Sequence, residues 1–394
     1  MNVAHICISA LLLLGSLSAE TPGEWAGEAE RLIRSGKPQE GLAALTKAAE
    51  SPGASAQSED RIGFLFAVLG RQSEATAHFE KSLSFNRDYA PAHYHLGVAR
   101  WLAKNQEGGL PELEKAVRLS PSVFDYRFRL GSAYLEMGQY EKAVTELQEA
   151  VAIDKTQSAA WSALAQARNG YAALLIGTRE PERAIEQSQK VLAHDPANDT
   201  AQMNIGYAYL KMGEFNKAEK AYRTATANDP KSPAAHYDLA ISLKMQDQLE
   251  SAQKELQEAI RLDPSLAEAH YTLGITYWQS GDFAATVREM KAALAIRANY
   301  AEAHYMLGIV LKQTGDLDGA LTELKEAIRL DPTTPGPFNT LGQILRIKGD
   351  KQGSEEAFAA GARLKREKEG ELANSLEQGM RGGTFPKPLT APAR

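Results

Sequence analysis

The sequence is nearly devoid of cysteine: Cys7 is the single one among 394 residues. One thiol cannot close an internal disulfide. If Cys7 leaves with an N-terminal leader, thiolate metal sites and cysteine nucleophiles go with it. A dominant charge sign is also lacking, since 44 basic and 50 acidic residues give a formal net charge of −6. The densest basic run, Arg363-Leu364-Lys365-Arg366-Glu367-Lys368, is short and interrupted by acid. A nucleic-acid-binding face carries a basic stripe, so no nucleic-acid partner is expected. After residue 20 no apolar run approaches the roughly 20 residues that span a bilayer, so the mature chain is not expected to insert into a membrane. His-Glu-x-x-His, P-loop, Gly-x-Ser-x-Gly and dinucleotide fingerprints are all missing. The chain therefore reads as a non-enzyme, with no catalytic residue, metal or cofactor expected.

The first nineteen residues differ from the rest. Ile6 to Leu14 is almost uninterruptedly apolar, and Gly15-Ser16-Leu17-Ser18-Ala19 supplies small residues before the polar Glu20-Thr21-Pro22. This is the layout of an export signal with cleavage after Ser18 or Ala19. Residues 1–19 are accordingly expected to be a signal peptide and the product to be periplasmic or secreted. The alternative is a chain tethered by an uncleaved N-terminal segment.

What the sequence has in abundance is recurrence. Ala-His-Tyr occurs at Ala92-His93-Tyr94, Ala235-His236-Tyr237, Ala269-His270-Tyr271 and Ala303-His304-Tyr305, using half of the eight histidines. His236, His270 and His304 are 34 residues apart. At the same period lie Gly63, Gly97, Gly131, Gly206, Ala240, Gly274, Gly308 and Gly342. Twelve positions after these come Ala75, Gly109, Ala143, Ala218, Ala252, Ala320 and Ser354; sixteen after come Phe79, Leu113, Leu147, Tyr222, Leu256, Leu324 and Phe358. Pro121, Pro196, Pro230, Pro264 and Pro332 close many segments. Within each segment apolar residues recur at steps of three and four, which marks amphipathic helices. Small residues at the glycine phases let two helices approach closely. Gly281-Asp282 and Gly315-Asp316 break the first helix, and the closing proline stops the second.

Leu273-Gly274 with Tyr277, Gly281 and Phe283, and Leu307-Gly308 with Gly315, Ala320, Leu324, Ala327 and Asp331-Pro332, resemble the tetratricopeptide repeat (TPR) family. The resemblance implies an all-α fold: a right-handed superhelical solenoid of about ten helix–turn–helix repeats. They are expected at 22–55, 56–89, 90–123, 124–157, 158–198, 199–232, 233–266, 267–300, 301–334 and 335–368. One repeat cannot bury its own apolar face, whereas stacked neighbours bury it together. The first is degenerate, with Ala29 and Gly41 at the two small-residue phases. Leu372, Leu376 and Met380 share a face, so a separate capping helix is expected over 369–380, followed by a disordered tail over 381–394. The fifth repeat is seven residues longer than its neighbours. Seven residues keep an apolar stripe nearly in phase, and they are expected at the end of its first helix, around Tyr171–Ile176. There they read either as a tolerated insertion or as an apolar knob at a contact point.

Helical geometry splits each Ala-His-Tyr. Adjacent residues point about 100° apart, so His270 shares a stripe with Leu273, Gly274 and Tyr277, which are packing phases. His93, His236, His270 and His304 therefore occupy a seam that Trp161 and Phe338 fill elsewhere. A ladder of this spacing holds imidazoles too far apart for a shared metal. Tyr271 belongs to the next stripe, which the resemblance places in the concave groove. That stripe gives the candidate partner-binding residues Tyr94, Tyr207, Tyr237, Ile241, Tyr271, Ile275, Trp278, Tyr305 and Ile309, with Lys244, Lys312 and Arg346 toward the C-terminal half. Exposed aromatic strips of this kind mark protein interfaces. The groove lacks the lysine–asparagine–arginine set of carboxylate-clamp TPR domains. The function expected is a scaffold that holds a protein or peptide partner. An accessory subunit that presents substrate to a separate enzyme is the second reading.

Overall fold

The structure is a computed structural model and describes residues 21–381. The expected signal peptide and all of the expected tail beyond Arg381 lie outside the described residues. The chain divides into two compact bodies, one ending at Gly177 and the other beginning at Thr178. Every element described is an α-helix.

The N-terminal body contains α1 (Pro22–Arg34), α2 (Pro38–Glu50), α3 (Ala56–Val68), α4 (Gln72–Phe85), α5 (Ala90–Leu102), α6 (Gln106–Leu119), α7 (Phe124–Glu136), α8 (Tyr140–Ile153) and α9 (Ser158–Gly177). The C-terminal body begins with α10 (Pro181–Leu192), α11 (Asp199–Lys211), α12 (Phe215–Asn228), α13 (Pro233–Lys244), α14 (Leu249–Leu262) and α15 (Ala267–Gln279). It continues with α16 (Phe283–Ile296), α17 (Ala301–Thr314), α18 (Leu317–Leu330), α19 (Pro335–Ile347) and α20 (Lys351–Arg381). In each body an odd-numbered first helix packs on the even-numbered second helix that follows it, and that second helix packs on the next first helix. This alternation is the layout of a TPR solenoid.

The turns explain why the helices end where they do. Between first and second helix the chain passes through a left-handed residue, Gly281 (φ 83°) and Gly315 (φ 90°) among them. Without a Cβ, glycine adopts this conformation at no steric cost. Lys104 (φ 61°) and Asp247 (φ 60°) stand at the same step of their repeats and carry side chains there. The next residue caps the second helix where it is aspartate: Asp282 Oδ1 accepts from Ala285 N (2.9 Å) and Asp316 Oδ1 from Gly319 N (2.9 Å). At the far end, Asp331 accepts from Thr333 N and from both Thr333 and Thr334 hydroxyls. Those bonds hold its carboxyl at about 2.

Close packing of first on second helix depends on the glycine phase. A methyl group at Gly131 would lie 2.6 Å from Leu147 Cγ, at Gly308 2.8 Å from Leu324 Cγ, and at Gly274 2.6 Å from Met290 Cε. Leu147, Leu324 and Met290 are fully buried in these notches.

Two elements differ from the expectation. α20 runs unbroken for 31 residues, so the segment expected as a separate capping helix is the C-terminal part of the last second helix. The reason is local: no proline or loop motif interrupts Arg363–Glu369, and Arg363–Glu367 and Lys365–Glu369 pair one turn apart. In α9 the helix has 20 residues where α7 and α11 have 13, so the seven extra residues are absorbed as helix. Its apolar end is no knob, because Tyr171, Ala172, Leu175 and Ile176 are buried, and Leu174 with the small Ala173 is exposed. Steps of three and four put the buried residues on one face and Ala173 and Leu174 on another.

Candidate partner-binding stripe on the first helices

Each first helix presents its histidine seam and its tyrosine stripe to different surroundings. The seam histidines are engaged within their own repeats. His93 Nδ1 meets Glu112 Oε2 at 2.6 Å, His236 meets Glu255 at 2.6 Å, His270 meets Glu289 at 2.9 Å and His304 meets Glu323 at 2.6 Å. In every case the glutamate lies nineteen residues on, in the second helix. The other ring nitrogen reaches the loop before the helix: His93 Nε2 to the Arg87 carbonyl (2.9 Å) and His304 Nε2 to the Ala298 carbonyl (3.0 Å). Arg127 makes the same two contacts, to Glu146 (2.6 Å) and to the Pro121 carbonyl (2.9 Å). In the second repeat the roles are exchanged, with Glu59 on the first helix and His78 on the second (2.7 Å). Where the first-helix residue is Trp25, Gln202 or Phe338, the residue nineteen on is Ala44, Ala221 or Ala357. The seam is thus a set of clamps, two-point at His93, Arg127, His236 and His304. Sequence reasoning found its histidines and missed its glutamates, which the +19 spacing could have revealed.

The candidate stripe residues are brought to one face of successive first helices, and most are shared with the next repeat. Tyr94 stacks on Tyr126 with ring centroids 4.7 Å apart, and Tyr271 packs on Tyr300 at 4.9 Å. Tyr237 Oη lies 3.4 Å from Thr272 Oγ1. Tyr305 packs beneath Gly336, where a methyl group would meet its hydroxyl at 2.6 Å. Burial pushes the phenols of Tyr94, Tyr237 and Tyr271 upward and that of Tyr126 up to about 12. Ile241, Ile275 and Ile309 are half-buried, and Trp278 donates its Nε1–H to Gln313 Oε1 at 3.1 Å. Tyr207 is different: it is 41% exposed, with the Lys211 ammonium 5.0 Å from its ring centre. Met245 and Ile347, on the same side of α13 and α19, are 53% and 63% exposed. The stripe is therefore part packing and part open apolar surface.

Its polar groups divide by body. In the N-terminal body Asp60 Oδ1 accepts from His95 Nδ1 (2.8 Å), and the imidazole is flanked by Phe64, Phe79 and Tyr94. Trp101 Nε1 donates to Glu136 (2.6 Å), which also takes Arg129 (3.3 Å), while the Arg129 guanidinium lies 5.3 Å from the Trp101 ring centre. In the C-terminal body Lys312 donates to Gln343 (2.6 Å). Asp238 and Lys244, both half-buried on α13, make no hydrogen bond or ion pair with the described residues. Burial pushes the Asp238 carboxyl up to about 6 and the Lys244 amine down. Among the described residues no three metal-ligating side chains converge, and no helix is long and apolar enough to cross a membrane.

Models of the tetratricopeptide repeat match residues 175–240 and 277–341, and models of the TPR repeat match 131–170 and 244–281. Together they span over half of the sequence. The chain belongs to the tetratricopeptide repeat family. Arrays of this family are scaffolds for protein–protein interaction, and this TPR chain carries the paired helices of such an array. A 190-residue stretch is 24% identical to RNA polymerase II-associated protein 3 of Xenopus laevis; it covers 48% of this chain and 25% of that protein. This TPR chain thus spans about a quarter of the length of the curated relative it matches. Among solved structures, MamA is 24% identical over 42% of this chain and 96% of MamA, with a TM-score of 0.40. YrrB, described as a TPR protein with an unusual peptide-binding site, is 18% identical over 45% of this chain and 91% of YrrB, also with a TM-score of 0.40.

Proposed function

We propose that this chain is an exported TPR scaffold that holds an extended segment of a partner protein along the first-helix stripe. The observation that carries the reading is the open apolar surface of the C-terminal body, where Tyr207 on α11, Met245 at the close of α13 and Ile347 at the end of α19 are exposed. Large exposed apolar side chains mark an interface, and rigid aromatic groups act as its anchors. Export rests on the apolar run Ile6–Leu14 followed by small residues. N-terminal sequencing of protein recovered from the extracytoplasmic fraction tests it, with a first residue at Ala19 or Glu20 as the expected result.

Tyr207 and Trp278 are the residues to change for the groove, because Tyr207 is exposed and Trp278 makes a single hydrogen bond to the neighbouring Gln313. Tyr207→Ala with Trp278→Ala is expected to weaken capture of a co-purifying partner by about tenfold or more, since anchors contribute about 2 kcal/mol each. The melting midpoint should stay within a few degrees. Equal loss of folding and binding would remove the stripe as the binding surface. Tyr271 is a poorer probe, as its ring also packs on Tyr300.

A further inference from the structure

The C-terminal body keeps two polar groups, on α12 and α13, that its own residues leave without partners. Asp238 stands half-buried on α13 with no donor to its carboxylate among the described residues. Beneath it the hydroxyl of Tyr222, a fully buried side chain on α12, is likewise unpaired. The Tyr222 ring fills the notch at Gly206, where a methyl group would lie 2.7 Å from its Cζ, so its hydroxyl end lies beside the residue that precedes Tyr207 on α11. Tyr222 and Tyr237, the neighbour of Asp238 on α13, pack in the same apolar cluster, and the Tyr222 phenol feels the charges of both Asp238 and Tyr207. Lys244 lies almost two turns further along α13 and does not reach the carboxylate. An unpaired carboxylate out of full solvent is destabilising and is ordinarily matched by a cation or by several donors. Tyr207 supplies the other half of a cation receptor. Its exposed ring is already approached at 5.0 Å by the ammonium of the exposed Lys211, and the face of a tyrosine attracts cations.

We infer that Asp238, with the rings of Tyr237 on its own and Tyr207 on the preceding first helix, is the receptor for a lysine or arginine side chain of the segment bound along this stripe. The inference rests on the groove reading above and names the chemistry that the groove selects. Arginine fits best, because its guanidinium pairs with a carboxylate through one edge while its face stacks on an aromatic ring. The N-terminal body has no counterpart: its stripe carboxylates, Asp60 and Glu136, are already taken by His95, Trp101 and Arg129.

The test is selection of a displayed random 12-residue peptide library on the full chain, followed by affinity measurement with one selected peptide. Peptides enriched on the wild-type chain should carry Arg or Lys at one fixed position. Asp238→Asn should weaken the selected peptide by about tenfold or more, the effect of losing a charge-assisted hydrogen bond. Replacing the peptide's basic residue by norleucine should weaken it equally, and Asp238→Lys should turn selection toward Asp or Glu at that position. Peptides that depend on Tyr207 and Trp278 but show no basic position, or that bind Asp238→Asn unchanged, overturn the cation receptor and leave the groove standing. Absence of any peptide that depends on Tyr207 and Trp278 overturns the groove and this inference together. The norleucine exchange reads the same contact without altering the fold of the chain.

Discussion

The two bodies share a repeat and a core but treat the charges of their first-helix stripes in opposite ways. In the N-terminal body Asp60, His95, Glu136 and Arg129 are engaged with one another or with Trp101. In the C-terminal body Asp238 and Lys244 stand half-buried and open. A closed polar network stabilises the surface that carries it, because each desolvated group finds its partner on the same chain. An open one leaves interaction energy for a ligand to supply. The comparison teaches that within one repeat family the periodic positions set the fold, while the groups between them decide which stretch of surface is finished and which is receptive.

The cores should not distinguish the bodies, and that is the largest effect to check. Leu147→Ala in the N-terminal body and Leu324→Ala in the C-terminal body each remove a fully buried side chain from a glycine notch. Each should lower stability by about 2–5 kcal/mol in urea unfolding. A large asymmetry between them would mean that the cores, and not the stripes, are where the bodies differ.

The stripe carboxylates should separate them. Asp60→Asn weakens the acceptor of His95 and is expected to destabilise by about 1–3 kcal/mol. Asp238→Asn removes no contact and relieves a desolvated charge, so it should leave stability unchanged or raise it. The sign follows from proton linkage. The folded carboxyl titrates at about 6, above the unfolded value near 3.9. Between about pH 4 and pH 6 the folded chain therefore holds the extra proton, and this group's contribution to stability falls as pH rises through that window. The advantage of Asp238→Asn over wild type should be absent below about pH 4 and complete above about pH 6, on the order of 1–3 kcal/mol. A pH-independent difference would show that Asp238 has found a partner. Stability gained with binding lost is the pattern expected of a receptive group.

The smallest effect sharpens the turns. Lys104→Gly and Asp247→Gly, one in each body, relieve left-handed side-chain positions. Each should raise stability by up to about 1 kcal/mol, with the gain similar in both bodies. A loss instead would show that the side chains compensate for their backbone strain.

Much of this was legible in the sequence, for physical reasons that also mark where legibility stops. The odd-numbered helices begin at Pro22, Ala56, Ala90, Phe124, Ser158, Asp199, Pro233, Ala267, Ala301 and Pro335, the residues that open the repeating segments. A helix start is encoded locally, by a cap and by the first apolar step, so the period carries it. The face on which Tyr237 lies follows from the same arithmetic. Its degree of exposure does not, because Thr272 and its neighbours come from the next repeat. The pairing of Asp60 with His95 crosses 35 residues and depends on which side chains two adjacent helices bring together. The isolation of Asp238 is a property of everything around it. An insertion that keeps helical phase, as in α9, reads in sequence as a projection and in structure as added length.

The histidine and arginine clamps have a mechanical consequence. Those of His93, Arg127, His236 and His304 tie the second helix of a repeat to the loop by which the chain enters that repeat, so tension along the polypeptide meets a side-chain strut as well as packed surface. The sixth and tenth repeats, with Gln202 and Phe338 in place of the clamp donor and Ala221 and Ala357 in place of the acceptor, lack that strut. Drawn out from its two ends in an optical trap, the array would yield at those links before it yields at the three clamped repeats between them.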